Sequence, residues 1–317
     1  MSDYSITKEI RDGVEVFTLA GGGARAQIVP QFGANCFAFE AHGAILEPVA
    51  WEDFAKKPTS YGIPLLFPFP NRIRNQEFTF RERTYRVDVA QHGFVRQRAW
   101  RVTDEGATDA GGAWLTCEFQ AHDYADELLA QFPFLYRATA TYRLREGQLT
   151  LDFIATNTGT DDMPCGFGIH PYFRWPAHSR IQIPAQQRWE LSNSLPTGRL
   201  LELDAAYDLR QLRDTEGLQL DDIYTAATPD ADGLTRCRLT DEDAGTAIVV
   251  EFSALNLPHI VVYTAPAPRR AICIEPMSCP TDAFNLQARG LDSDVTVLKP
   301  QESVGFHIRI ATEQING

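Results

Sequence analysis

Apolar and polar residues alternate along this chain far more often than they recur at helical spacing. In residues 137–145, Ala138, Ala140, Tyr142 and Leu144 fall on one side, and Arg137, Thr139, Thr141, Arg143 and Arg145 on the other. That is the period of a strand with one buried face. Glu146-Gly147 then supplies tight-turn chemistry, and Leu149, Leu151 and Phe153 resume the alternation, so the pattern predicts a hairpin. Residues 78–80 and 85–87 flank a second expected hairpin. Strand-like runs recur at 13–19, 24–29, 114–120, 247–252, 260–263, 271–274 and 304–310. Helical spacing is confined to two short candidates, 51–57 and 125–130. Residues 193–216 are the least regular and are expected to form a long surface excursion. Many short strands broken by Gly and Pro predict sandwich layers rather than βαβ units. No linker, charge block or internal repeat interrupts the strand signals, so residues 1–317 are expected to make one all-β domain.

Composition narrows the partners. The chain has 317 residues, 44% of them hydrophobic, enough for one large core. Its formal net charge is −13. An acidic balance argues against nucleic acid and against an anionic membrane surface, and suits a neutral small-molecule ligand. Cys36, Cys117, Cys165, Cys237, Cys273 and Cys279 are scattered, with no Cys-x-x-Cys pair to suggest a zinc knuckle or a dithiol redox motif. The first residues lack the basic start and apolar stretch of a signal peptide, and no apolar run is long enough to span a bilayer. A cytoplasmic location with free thiols is the expectation.

The candidate chemistry sits in three separated segments, each setting a lone ionisable side chain among Pro, Gly and aromatics. The first runs from Gly62 through Pro68-Phe69-Pro70-Asn71-Arg72-Ile73 and continues at Gln91-His92-Gly93-Phe94-Val95-Arg96. The second is Gly166-Phe167-Gly168-Ile169-His170-Pro171-Tyr172-Phe173, and the third runs from Ile272-Cys273-Ile274-Glu275-Pro276 to Asn285. Two imidazoles, a carboxylate and an arginine suit a site that moves protons on a polar, uncharged ligand.

Each residue also has a plainer explanation. His92 could be a strand-end histidine bonded to a backbone carbonyl. His170 is harder to dismiss, because Pro171 biases it to an extended backbone beside an aromatic wall. Glu275 follows a run that reads as a buried strand, where a carboxylate costs several kcal/mol unless paired or functional, about 2–7 kcal/mol even for a neutral polar group. A buried salt bridge is its alternative. Arg72 could be an ordinary ion-pair partner, or its five fixed donors could serve sugar hydroxyls, as could those of Arg74 and Arg96. Asp221 and Asp222 are either turn residues or carboxylates gripping vicinal hydroxyls. His42, His122, His178, His259 and His307 lack comparable settings and read as surface or structural.

Taken in order, these segments resemble the aldose 1-epimerase (galactose mutarotase-like) family. The resemblance rests on Pro64 to Ile73, Phe78-Thr79-Phe80 followed by Tyr85, and His92-Gly93-Phe94-Val95-Arg96 ending in Trp100. It continues through Phe132-Pro133-Phe134, Thr156-Asn157-Thr158-Gly159, Gly168 to Phe173, Leu220 to Tyr224, Glu275-Pro276 and Asp282 to Asn285. Glu82 stands where relatives often carry a turn glycine, which touches only a hairpin tip. The resemblance implies a β-supersandwich with no metal and no organic cofactor. It also implies that Glu275 is the catalytic base and His170 the catalytic acid, that Arg72 and His92 hold the sugar, and that Asp221 binds a hydroxyl.

On that expectation the substrate is a cyclic hemiacetal. One group takes the anomeric hydroxyl proton while the other gives a proton to the ring oxygen. A carboxyl with a pKa of about 4.3 and an imidazole at about 6.5 supply such a pair near neutrality without extreme tuning. Four rivals remain at this stage. His92, His170 and Glu275 could form a two-His, one-carboxylate metal site, which Arg72 disfavours. The chain could be a non-catalytic sugar-binding module. Glu275 with Asp221 could be the carboxylate pair of a glycoside hydrolase. Arg72, Arg74 and Arg96 could clamp a phosphate, making a hexose-6-phosphate epimerase.

Overall fold

The computed structural model describes residues 3–315. The alternating segments pair into two large antiparallel sheets. The nine-stranded sheet runs, in spatial order, Arg213–Asp214, Arg180–Gln182, Thr235–Asp241, Thr246–Phe252, Ser303–Gln314, Gln148–Asn157, Tyr136–Arg145, Gly112–Gln120 and Arg101–Thr108. The second runs Leu195–Glu202, Ala185–Ser192, Asp221–Ala227, His259–Thr264, Ala271–Met277, Gly168–Ile169 and Leu65–Leu66. Tyr172–Arg174 also pairs with Ala271–Met277, making it eight-stranded. A four-stranded meander, Tyr4–Arg11, Val14–Gly21, Ala24–Val29 and Asn35–Ala41, packs beside the end of the larger sheet. This is the β-sandwich that the alternation predicts.

One hydrophobic cluster joins the sheets. Ala138, Ala140, Tyr142 and Leu144 of the larger sheet share it with Ile260, Val262, Ile272 and Ile274 of the smaller. Period two then sends Val261, Tyr263, Cys273 and Glu275 to the opposite face of the smaller sheet. Aromatic packing fixes the segments that border this outer face. Phe153 and Phe167 stack at 4.0 Å, Phe167 and Phe306 at 4.9 Å, and Phe67 meets Tyr136 at 5.0 Å. Phe67 and Phe167 are fully buried, each worth about 1.5–3 kcal/mol of burial. They anchor the chain just before Asn71-Arg72 and just before His170.

The predicted hairpin is Tyr136–Arg145 with Gln148–Asn157, and Glu146 and Gly147 take φ of 51° and 75°, as a type I′ turn needs. The second is Glu77–Phe80 with Arg83–Arg86, so Val87 falls outside it. The two expected helices form as Trp51–Lys56 and Ala125–Leu128. Residues 193–216 depart from expectation, because Leu195–Glu202 forms the edge strand of the smaller sheet. An edge strand needs only one partner and buries little, so it leaves no alternating signature. Not anticipated were the short helix Ala283–Ala288 and several strands, among them Tyr4–Arg11, Asn35–Ala41, Arg101–Thr108, Ala185–Ser192 and Thr235–Asp241.

Candidate active site

The outer face of the smaller sheet forms the floor of a cavity of ≈ 250 Å³. Glu275, His170, Arg72, His92 and Asp221 all line it. Glu275 comes from the Ala271–Met277 strand, opposite Val261 in the ladder. His170 follows the short strand Gly168–Ile169, and its backbone N–H donates to the Pro64 carbonyl. Asp221 opens its strand opposite Tyr263. Two loops supply Arg72 and His92 from above. Two strands on either side of His259–Thr264 thus deliver the carboxylates, and a strand end delivers the imidazole.

The loops are fastened to each other through His92. The His92 N–H donates to the Asn71 carbonyl at 2.7 Å, and the Asn71 N–H donates to His92 Nδ1 at 3.1 Å. A ring nitrogen that accepts a backbone N–H carries no proton, so the His92 proton sits on Nε2. Asn71 and His92 both adopt left-handed backbone, φ 57° and 69°, a conformation that costs a non-glycine residue about 1–3 kcal/mol. Gly93 follows with φ 64°, and a Cβ there would lie 2.1 Å from the Phe67 carbonyl oxygen. Gly93→Ala is therefore expected to lose at least about 2 kcal/mol of stability and to disturb His92. A urea melt checks the first effect and substrate KM the second.

His170 Nε2 lies 3.2 Å from Glu275 Oε1, but the N–H is not aligned on the oxygen. Glu275 Oε1 and His170 Nδ1 are buried without hydrogen-bond partners. Burial dominates both titrations and drives them apart. It pushes the Glu275 carboxyl well above its usual range, with the Asp221 charge adding to the rise and Arg72 opposing it. It pushes the His170 imidazole down to about 3, helped by Arg96. His92 is also driven well below the imidazole range by burial and by its neighbour His170. The sequence-level picture of two nearly unperturbed groups does not hold, because both sit where a charge loses its water.

Of the two aspartates, Asp221 faces the cavity, while Asp222 points away and meets Arg188 at 3.7 Å. Arg72 donates to Asn71 Oδ1 at 2.9 Å and approaches Asp221 at 4.0 Å. Arg96 lines the cavity, donates to the Gln91 carbonyl, and leaves its Nε unpartnered. Arg74 does not join them. Its side chain donates to Asp282 and to the Pro196 carbonyl, outside the cavity. His178 and His307 pair with aspartates on exposed surface, and His259 is buried against Asp294. The sequence reading missed Asn71, Tyr263 and Cys273. Tyr263 and Cys273 were detectable only through the alternation that also turns Glu275 outward.

His170, Cys273 and Glu275 bring a ring nitrogen, a thiol sulfur and a carboxylate oxygen within 4.8 Å of one another, the donor types of a zinc site. The surroundings oppose a cation. Arg96, Arg269 and Arg72 all act on His170, and burial holds the Cys273 thiol far above its usual range, away from the thiolate that a metal needs. The donors that remain suit a neutral, hydroxyl-rich ligand.

A family model described as aldose 1-epimerase matches residues 15–311. The uncharacterized protein YphB of Escherichia coli K12 is 23% identical over 310 residues, covering 94% of this chain and 99% of that protein. The uncharacterized protein YihR of the same strain is 26% identical over 236 residues, covering 70% and 71%. A galactose mutarotase-like protein from Clostridium acetobutylicum has a TM-score of 0.89 at 24% identity, over 98% of this chain and 99% of that one. Galactose 1-epimerase from Lactobacillus acidophilus NCFM has a TM-score of 0.79 at 15% identity, over 100% of both. At these identities the solved structures bear on the fold, which is galactose mutarotase-like. The family model spans nearly the whole length, and on that ground the chain belongs to the aldose 1-epimerase family.

Proposed function

We propose that this protein is a mutarotase that interconverts the α and β anomers of a free aldohexose. The observation that carries the reading is the buried Glu275–His170 pair, 3.2 Å apart and facing a polar cavity. Binding alone does not demand an acid–base pair, which speaks against a non-catalytic sugar-binding module. Glu275 takes the proton of the anomeric hydroxyl, and His170 gives one to the ring oxygen. The C1–ring-oxygen bond breaks to an open-chain aldehyde, rotation about C1–C2 exposes the other carbonyl face, and reclosure reverses both transfers. The two side chains together need one proton, and each half-reaction returns it. His92, protonated on Nε2, donates to a sugar oxygen. Arg72 supplies further donors, and Asp221 accepts from a hydroxyl.

The hexose-6-phosphate reading is weaker than the sequence allowed, because Arg74 is committed to Asp282 and leaves only Arg72 and Arg96 at the cavity. Anomerisation measured by polarimetry or NMR exchange across free and 6-phosphorylated hexoses tests the proposal. Turnover of a free aldohexose is expected. Turnover of phosphorylated sugars alone, or of none by folded protein, overturns it. Arg72→Ala should raise KM more than it lowers kcat, since a positioning contact acts on ground and transition states alike. A pure kcat defect would instead place Arg72 at the charge that develops on ring opening. The six cysteines are free and buried, which fits the reducing, cytoplasmic setting we propose.

A further inference from the structure

We infer that Arg269 is a positioning residue that holds the His170 imidazole in its working orientation through the ring of Tyr172. The inference rests on the reading of His170 as the proton donor. A catalytic imidazole is ordinarily oriented by a hydrogen bond from its second nitrogen to a carboxylate or carbonyl. His170 has none of good geometry. Its Nδ1 is buried without a partner, and the backbone group that bears on it is its own. Ring packing must therefore set the angle about which Nε2 swings.

The packing is specific. Tyr172 stacks on His170 with centroids 4.5 Å apart and planes 19° apart. His92 and Tyr263 close the edges, at 5.4 Å and 6.0 Å, both near perpendicular. The Arg269 guanidinium lies 4.8 Å from the centroid of the Tyr172 ring and 4.5 Å from that of Tyr61. It cannot drift from there. Arg269 is paired with Glu47 through both of the glutamate's carboxylate oxygens and donates to the Ser60 carbonyl at 2.9 Å. The Glu47 N–H in turn donates to the Tyr172 carbonyl at 2.8 Å. Arginine, tyrosine and imidazole form one column, fixed at its outer end by Glu47 and open at its inner end to the substrate. A planar guanidinium is the cation that stacks on a ring, so lysine is a poor substitute.

The test compares Tyr172→Phe, Tyr172→Leu and Arg269→Met with the parent, by anomerisation kinetics and thermal melts. Tyr172→Phe keeps the ring and should stay within about twofold of the parent kcat. Tyr172→Leu removes the stack and should lower kcat roughly 100-fold with little change in KM, the cost of misplacing a reacting group by about an ångström. Arg269→Met should lower kcat about tenfold. It should also move the acid limb of kcat/KM to higher pH, because the Arg269 charge opposes the imidazolium. Glu275, Cys273, His92, Tyr263, Arg72 and Arg96 also surround the imidazole, and none is altered in these variants. A loosened loop would lower the melting temperature without moving that limb.

Parental kcat in Tyr172→Leu overturns the inference, as does parental kcat with an unmoved limb in Arg269→Met. Tyr172→Phe falling as far as Tyr172→Leu also overturns it, since the hydroxyl and not the stack would then act. If Arg269→Met does not fold, the two Tyr172 variants decide. His170→Asn separates the two levels. Full activity in that variant removes the reading of His170 as acid, whereas an inactive His170→Asn beside parental stack variants removes only the role of Arg269.

Discussion

Glu275→Gln is expected to fold, to lose about 10²–10⁴-fold in turnover, and to melt higher than the parent in alkaline buffer. The first effect follows from the role proposed for the carboxylate, because an amide of the same shape has no basic oxygen. The second follows from its burial. The folded-state pKa of Glu275 is raised above its ordinary value of 4.5, so the folded protein holds this proton more tightly than the unfolded chain. The stability it contributes is fully present below about pH 4.5 and is lost as pH rises through the folded pKa. Glutamine does not titrate, and the variant escapes that loss. The difference in melting temperature should therefore widen as pH rises above about 4.5, until the folded carboxyl has ionised. Near-parental turnover in a folded variant would sink the assignment of Glu275 as base. A melting difference that stays flat with pH would show that the carboxyl does not titrate abnormally, whatever its catalytic role.

The same burial explains what the sequence could and could not disclose. Inner strands such as Tyr136–Arg145 were legible because one side must be apolar and the other need not be. The edge strand Leu195–Glu202 was not, since it pairs on one side only and Pro196 alone of its residues is buried. The six-residue helix Ala283–Ala288 is too short to build up a periodic signal. In the site, His170 and Glu275 stood out because each interrupts a run that otherwise belongs to a core. Asn71 did not, because its part depends on a left-handed backbone turn and on a ring nitrogen 21 residues away. Tyr263 merely continues an alternation. The residues alone did not separate Asp221 from Asp222; the resemblance favoured Asp221, and it is Asp221 that lines the cavity. Local pattern marks residues that break a rule; it cannot mark those whose role is set by a partner distant in the chain.

The protonation state of the pair is the largest such gap, and it inverts a simple expectation for the pH profile. Two unperturbed, independent groups would need Glu275 ionised and His170 protonated, giving an acid limb from the carboxyl and an alkaline limb from the imidazole. Burial favours the neutral form of each, so a single proton resides on the pair, mainly as carboxylic acid beside neutral imidazole. The working form, carboxylate beside imidazolium, is a tautomer with the same proton count. The acid limb of kcat/KM then marks arrival of a second proton, on His170, which burial delays to about pH 3. The alkaline limb marks departure of the only proton, from Glu275, which burial delays above the carboxylate range. The expected profile is a plateau bounded by an acid limb near pH 3 and an alkaline limb displaced above the carboxylate range. His170→Asn should retain weak activity that rises with pH wherever the parent falls, because the lone Glu275 must then be ionised to act at all. A parent profile with limbs near the ordinary carboxyl and imidazole values would refute the buried pair. So would residual activity in His170→Asn that follows the parental slope.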